Sequence, residues 1–162
     1  MIKHKPIFDV EKVIKHYTER DGVPVVYVCT SDVLTSDNPK DILKDLKYYE
    51  PRLSPTGPAM GSAILSVLYS RMNKTEKAYE LFIKSYNPNE LEPFGVLAET
   101  AGGTNPYFAT GAGGMLQSVL FGFGGLDINE KGITELKTQL PKKWNSLKIS
   151  GIGVEKRIVH KN

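Results

Sequence analysis

The feature that most constrains this sequence is a change of hydropathy period at Gly124-Gly125. Upstream, apolar residues recur every three or four positions, the spacing of one face of a helix. Downstream, Leu126-Asp127-Ile128, Gly132 to Lys137 and Leu147 to Ile152 alternate apolar with polar. That is the period of a strand with one wet face. A chain that switches period once, and late, is mainly α with a small β region. The reading divides it into a helical part, 1–125, and a small β part, 126–162. A few helices and a few strands make an incomplete layer architecture for 162 residues, which points to the C-terminal part of something larger.

Within the helical part, Ile7, Val10, Val13, Ile14 and Tyr17 have a loose helical spacing. Val23 to Thr30 reads as a strand from its β-branched content, or equally as a buried helix. A helix start is written at Asn38-Pro39-Lys40-Asp41, with Asn38 as cap, Pro39 in the first helical position and Asp41 near the positive end of the dipole. Ile42, Leu43, Leu46 and Tyr49 form its apolar face, and Pro51 ends it. A second helix spans about 58–72, with small residues Ala59, Ser62, Ala63 and Ser66 suited to close helix contact. Asn73 suits the left-handed position after its last turn. A third runs from about 75 to 86, capped by Thr75, with Ala78, Leu81, Phe82 and Tyr86 inward. A fourth covers about 112–123 through Met115, Leu116, Val119, Leu120 and Phe123. Among the strands, Val154 to Val159 is a further candidate.

Between the third and fourth helices lies a glycine-dense stretch, Glu92 to Gly114. Glycine costs backbone entropy on folding, so this density fits places where backbone passes close to a ligand or to another helix. Composition narrows the rest. Net charge is +3 with scattered lysines, Lys142-Lys143 being the densest pair, which is no nucleic-acid surface. The single cysteine, Cys29, excludes an internal disulfide and a cysteine zinc site. His4, His16 and His160 lack metal-ligand spacing, so neither metal nor cofactor is expected. No apolar run is long enough to span a membrane, and Met1 to Pro6 lacks a signal-peptide core.

Several segments carry a family resemblance: Tyr48-Tyr49-Glu50-Pro51-Arg52, Gly57-Pro58-Ala59-Met60, Lys77-Ala78-Tyr79, Tyr86-Asn87-Pro88-Asn89, Pro93-Phe94-Gly95-Val96 with Glu99-Thr100-Ala101-Gly102, Asn105 to Gly114, and Phe121 to Gly125. Together they resemble glycoside hydrolase family 65, nearly continuously over about 36–152. The family holds disaccharide phosphorylases and a branch of α-glucosidases. Its members are several times longer, with a catalytic barrel of six helical hairpins and a small C-terminal sheet domain. The resemblance covers only the last hairpins of that (α/α) barrel and the sheet domain.

Inverting glycoside cleavage needs an acid to protonate the leaving oxygen and a base to activate water. In the phosphorylase branch phosphate attacks instead. Where phosphorylases resemble Ser-Ser-Leu-Ser, this chain has Gly57-Pro58-Ala59-Met60, and Phe108 stands where they place a histidine. The resemblance therefore favours the α-glucosidase branch and implies Glu99 as general base. Thr100, Asn105, Thr110, Gly111 and Gly113 are implied in substrate binding. The Thr110 to Gly114 amides, at a helix start, keep the frame of an anion pocket. Beside these stand plainer readings: Glu99 as a turn cap or ion-pair partner, Glu50 paired with Arg52, Glu92 at the surface, and Tyr107 with Phe108 as core aromatics instead of a sugar platform. The family's general acid lies in an earlier hairpin, and Gly22 to Val25 replaces a sugar-contacting Lys-Gln pair. The isolated chain is expected to be catalytically silent. Its implied partners are an α-linked glucose disaccharide or oligosaccharide, and the missing N-terminal barrel half or a second copy of itself. The other readings are a fragment of a disaccharide phosphorylase that uses inorganic phosphate, and a non-catalytic carbohydrate-binding or interaction module.

Overall fold

A computed structural model describes residues 39–129 and 132–162. The readings over 7–20 and 23–30, the Asn38 cap, His4, His16 and Cys29 lie outside them.

The helical part is built around one central helix. Helix α1 spans Pro39–Tyr49 and runs into a 3-10 turn, Glu50–Arg52. Helix α2 is Ala59–Arg71 and α3 is Thr75–Lys84. The α2–α3 hairpin turns through Asn73, which has the expected positive φ of 57°. Helix α2 is apolar or small nearly all round, as suits a helix buried on several sides. Leu65 and Leu68 pack with Leu46 of α1 and Leu81 of α3. Its Ser66 hydroxyl donates to the Ala78 carbonyl of α3 at 2.8 Å.

The third side of α2 meets helix α4, Ala109–Gln117. Here glycine serves close approach. A Cβ on Gly114 would stand 3.1 Å from the Ala63 Cβ, so a larger residue would wedge the two helices apart. The Ser118 hydroxyl completes this contact by donating to the Ala63 carbonyl at 3.1 Å.

Sequence periodicity predicts one helix over 112–123, but the structure starts it at Ala109 and changes its pitch. Ser118–Phe123 is π-helical, and the Gly124 N–H reaches back to the Val119 carbonyl at 2.7 Å. Such a segment inserts a residue into the turn and re-aims the side chains after it. Phe123 is thereby fully buried, against Phe82 and Trp144, while Leu116 stays 54% exposed. Thr75 is not the N-cap expected from the sequence. It is the first residue of α3, Lys74 holds the cap position, and the buried Thr75 Oγ1 has no partner.

The change of period falls where expected. Gly125 adopts φ +70°, and a Cβ there would lie 2.5 Å from the Leu136 carbonyl oxygen, so glycine permits the turn from helix to strand. The strands are β1 (Glu90–Leu91), β2 (Val96–Leu97), β3 (Leu126–Asn129), β4 (Gly132–Glu135), β5 (Leu147–Ile152) and β6 (Arg157–Lys161). They pair as three separate antiparallel hairpins, β1–β2, β3–β4 and β5–β6, instead of a single sheet. Helical residues outnumber strand residues, so the described chain is mainly α with a small β region. The β1–β2 hairpin is too short to leave a periodic signal. The last strand begins at Arg157 because residues 153–156 form the turn, with Val154 wholly exposed.

The β3–β4 and β5–β6 hairpins share a core of Leu126, Ile152 and Val159, reinforced by Ile133 and Ile149. Arg71, at the end of α2, fastens the β part to the helices. Its guanidinium donates to the Phe121 and Leu126 carbonyls and pairs with Asp127 at 3.2 Å. Trp144 does the same on the other side, packing its ring against Tyr79, Phe82 and Phe123.

Candidate active site

Glu99, Thr100 and Asn105 fall on the segment between α3 and α4, and Thr110, Gly111 and Gly113 fall within α4. Strands β1 and β2 pair Glu90 with Leu97 and Leu91 with Val96. Leu97 and Ala98 are buried, and the chain then emerges as an exposed bend at Glu99 and Thr100. It returns at Phe108, whose N–H donates to the Leu97 carbonyl at 2.8 Å. Residues 98–107 thus form a loop closed at its base, carrying Glu99, Thr100 and Asn105, all exposed.

The loop is held from below by a 3-10 turn, Asn87–Asn89. Asn89 is only 2% exposed. Its side-chain amide donates to the carbonyls of both Ala98 and Glu99, each at 3.1 Å. Its own carbonyl accepts the Ala98 N–H at 2.8 Å, and the Pro88 carbonyl accepts the Gly102 N–H at 3.3 Å. Within the loop, the Gly103 N–H donates to the Thr100 carbonyl at 2.9 Å and tightens the bend. Sequence reasoning gave Asn89 no role. Its marks are its place in the resembling Tyr86-Asn87-Pro88-Asn89 segment and the Asn-Pro-Asn turn after a helix, a pattern that reads equally well as plain turn chemistry.

The other expected residues are placed differently. Thr110 is exposed on the first turn of α4, whereas Gly111 is buried, and a Cβ there would meet Phe108 and Ala59. The anion frame expected from the Thr110 to Gly114 amides changes because the helix starts three residues early. The N–H groups of Gly111 and Ala112 both donate to the Phe108 carbonyl, at 3.0 and 3.2 Å. Gly113 and Gly114 lie in the body of the helix, where N–H groups bond back to the preceding turn. Gly113 does keep open space where a side chain would be. Tyr107 is 77% exposed and Phe108 is half-buried against Gly111.

Two cavities border the chain, the first at the base of this loop. One, of about 370 Å³, lies beside Val96, Leu97, Tyr107, Phe108, Ala112 and Met115. The other, of about 750 Å³, lies along Glu135 to Lys142, Trp144 and the final residues. Glu99 lines neither. Its carboxylate stands on an open face.

Glu50 has a structural setting, though with other partners than expected. It accepts the Tyr69 hydroxyl and pairs with Lys77 at 2.9 Å, while Arg52 bonds the Tyr48 carbonyl and stacks over the Tyr48 ring. Burial works against Glu50 ionising, but the bonds from Tyr69 and Lys77 outweigh it and hold the carboxyl below its ordinary range. Burial and this carboxylate together push the Tyr69 hydroxyl up to about 12. Glu92 and His160 are exposed. Among the described residues, no cluster of three His, Cys, Asp or Glu is placed to hold a metal, and no helix is long and apolar enough to cross a membrane.

No protein-family model matches the chain. Individual relatives do. It is 54% identical over 124 residues to a kojibiose hydrolase of Mucilaginibacter mallensis, covering 76% of this chain and 18% of that protein. It is 52% identical over 120 residues to a kojibiose hydrolase of Flavobacterium johnsoniae, again covering 18% of the relative. A protein-glucosylgalactosylhydroxylysine glucosidase of Dictyostelium discoideum is 40% identical over 128 residues, 79% of this chain and 17% of that protein. The chain thus spans about a fifth of the length of the curated relatives it matches. By these relatives the chain belongs to glycoside hydrolase family 65.

Proposed function

We propose that this chain supplies the base-bearing wall of an inverting glycoside hydrolase active site for α-linked glucosides of the kojibiose kind. The observation that carries the reading is the placement of Glu99. It is an exposed carboxylate on a loop anchored through the carbonyls of Ala98 and Glu99. A general base needs that exposure to reach a water, and that anchoring to hold it in line. The names of the relatives supply the substrate class, since kojibiose hydrolases match at 54% and 52% identity.

In this reading Glu99 takes a proton from water as the water attacks the anomeric carbon from the face opposite the leaving group. The general acid comes from outside the described residues. Thr100, Asn105 and Thr110 offer hydroxyls and an amide to the sugar, the open space at Gly113 lets it approach α4, and buried Gly111 lets Phe108 pack beneath. Residues 1–125 are the last hairpins of an (α/α) barrel and 126–162 its small closing domain. The missing barrel half, or a second copy of the chain, covers the open face. Phe108, half-buried against Gly111, gives no ligand for phosphate, which favours water as the nucleophile.

The test is the product's anomeric form. The full chain is fused into the Mucilaginibacter mallensis kojibiose hydrolase in place of the matched segment, and kojibiose hydrolysis is followed by proton NMR. β-Glucose in excess of the anomeric ratio of the released reducing-end glucose, at a rate unchanged by phosphate, is the expected result, with no glucose released by the chain alone. α-Glucose in excess of that ratio, or phosphate dependence with glucose 1-phosphate as product, overturns it.

A further inference from the structure

The base loop has its own support, and this support is a candidate determinant of turnover. We infer that Asn89 is the positioning residue for Glu99; the inference rests on the reading of Glu99 as the base. Asn89 is buried, yet every polar atom it presents to the loop is used. Its amide nitrogen spends both hydrogens on the two carbonyls that bracket the Glu99 peptide nitrogen, at 3.1 Å each. Its carbonyl takes the Ala98 N–H at 2.8 Å, and its own N–H is tied at 2.8 Å to the carbonyl of Tyr86, two residues past α3, whose N–H in turn donates to the Ile83 carbonyl of that helix. The peptide plane that carries the Glu99 side chain is therefore fixed relative to α3, and not merely to its own flexible neighbours.

The alternatives to this support are few. Glu99 and Thr100 are exposed, and the adjoining Gly102 has a positive φ of 69° with nothing within 4 Å of a would-be Cβ. Packing does little to orient this bend, so hydrogen bonding must. A side-chain amide is the one neutral group that offers two donors to two carbonyls from one short stem. Aspartate at 89 would turn an acceptor toward both oxygens, and alanine would leave both without a buried donor. Misplacement of a reacting group by about 1 Å costs roughly 100-fold in rate. Asn89 acts on the reaction only through Glu99.

The experiment uses the fusion described above with Asn89→Ala, Asn89→Asp and Glu99→Ala, assayed on kojibiose with and without sodium azide. Azide attacks the anomeric carbon without surrendering a proton, while the leaving oxygen still takes the proton of the general acid, so it needs no base. Both Asn89 variants are expected to lose about 100-fold in kcat with KM little changed. Azide is expected to restore turnover in them, as in Glu99→Ala, with glucosyl azide as product. Loss of folding alone would lower the active fraction and gain nothing from azide. If Glu99→Ala is impaired and azide-rescued while the Asn89 variants keep wild-type kcat, or lose it without azide rescue, the inference on Asn89 fails and the base reading stands. If Glu99→Ala retains full kcat, the base reading itself fails, and the Asn89 role with it.

Discussion

Phe123→Ala should be among the most damaging single changes in the described part of the chain. The side chain is 0% exposed. It lies where the π-helical turn meets the β part, with its ring centroid 4.9 Å from Trp144 and 5.8 Å from Phe82. Truncating a buried phenylalanine costs about 3–5 kcal/mol through lost transfer energy and the cavity left behind. Two aromatic partners at favourable angles place Phe123 in the upper half of that range, since each such pair adds about 0.5–1.5 kcal/mol. At roughly 2–4 °C per kcal/mol for a chain of this size, a loss of about 4 kcal/mol lowers Tm by about 8–16 °C. Urea unfolding can be followed by the fluorescence of Trp144, the sole tryptophan, because that indole sits in the cluster being perturbed. Phe94→Ala is the control: its ring is 86% exposed, and the change should stay within about 0.5 kcal/mol. A loss below about 1.5 kcal/mol for Phe123→Ala would mean that the aromatic cluster does not join the helices to the β part.

Glu50 is held below its ordinary 4.5 in the folded chain, so its stabilising contribution is present above that value and lost as pH falls through the lower folded value. Tyr69 is raised from 10.0 to about 12, so its contribution is complete below pH 10 and lost as pH rises toward 12. Tyr69→Phe should weaken the alkaline loss and bring the acid transition nearer to the ordinary carboxylate range, read as the urea midpoint against pH; an unchanged profile would refute the pairing. In the isolated chain, Asn89→Ala should speed hydrogen exchange at the Ala98 and Gly102 amides while leaving those of α2 protected.

Much of the fold was legible because it rests on local signals. Asn73 marks the α2–α3 turn, and Gly124-Gly125 marks the exit from the helical part, since left-handed backbone restricts residue choice. The small residues of α2 announced close contact, and Ala63 and Ser66 do touch α4 and α3. What escaped depends on tertiary context. The pitch change at Ser118 answers to the Ala63 carbonyl and to Gly122 lying against Val67, neither of which has a sequence period. The β1–β2 hairpin has two residues per strand, too few to alternate visibly. In the candidate site, Glu99 is reached through family resemblance, because a lone glutamate in a glycine-rich stretch carries no chemical signature. Asn89 escapes for a related reason. The Asn-Pro-Asn pattern shows a turn, but that its amide faces the Ala98 and Glu99 carbonyls is visible only in three dimensions.

The proposed role of Glu99 as general base is tested most directly by kcat on kojibiose for Glu99→Gln in the fused enzyme. Glutamine keeps the shape of the side chain and cannot accept the proton of water. A general base contributes about 10²–10⁴-fold, so kcat should fall by that factor while KM moves little and Tm is unchanged. A kcat within a factor of about two of the parent fusion would contradict the assignment of the base to this loop.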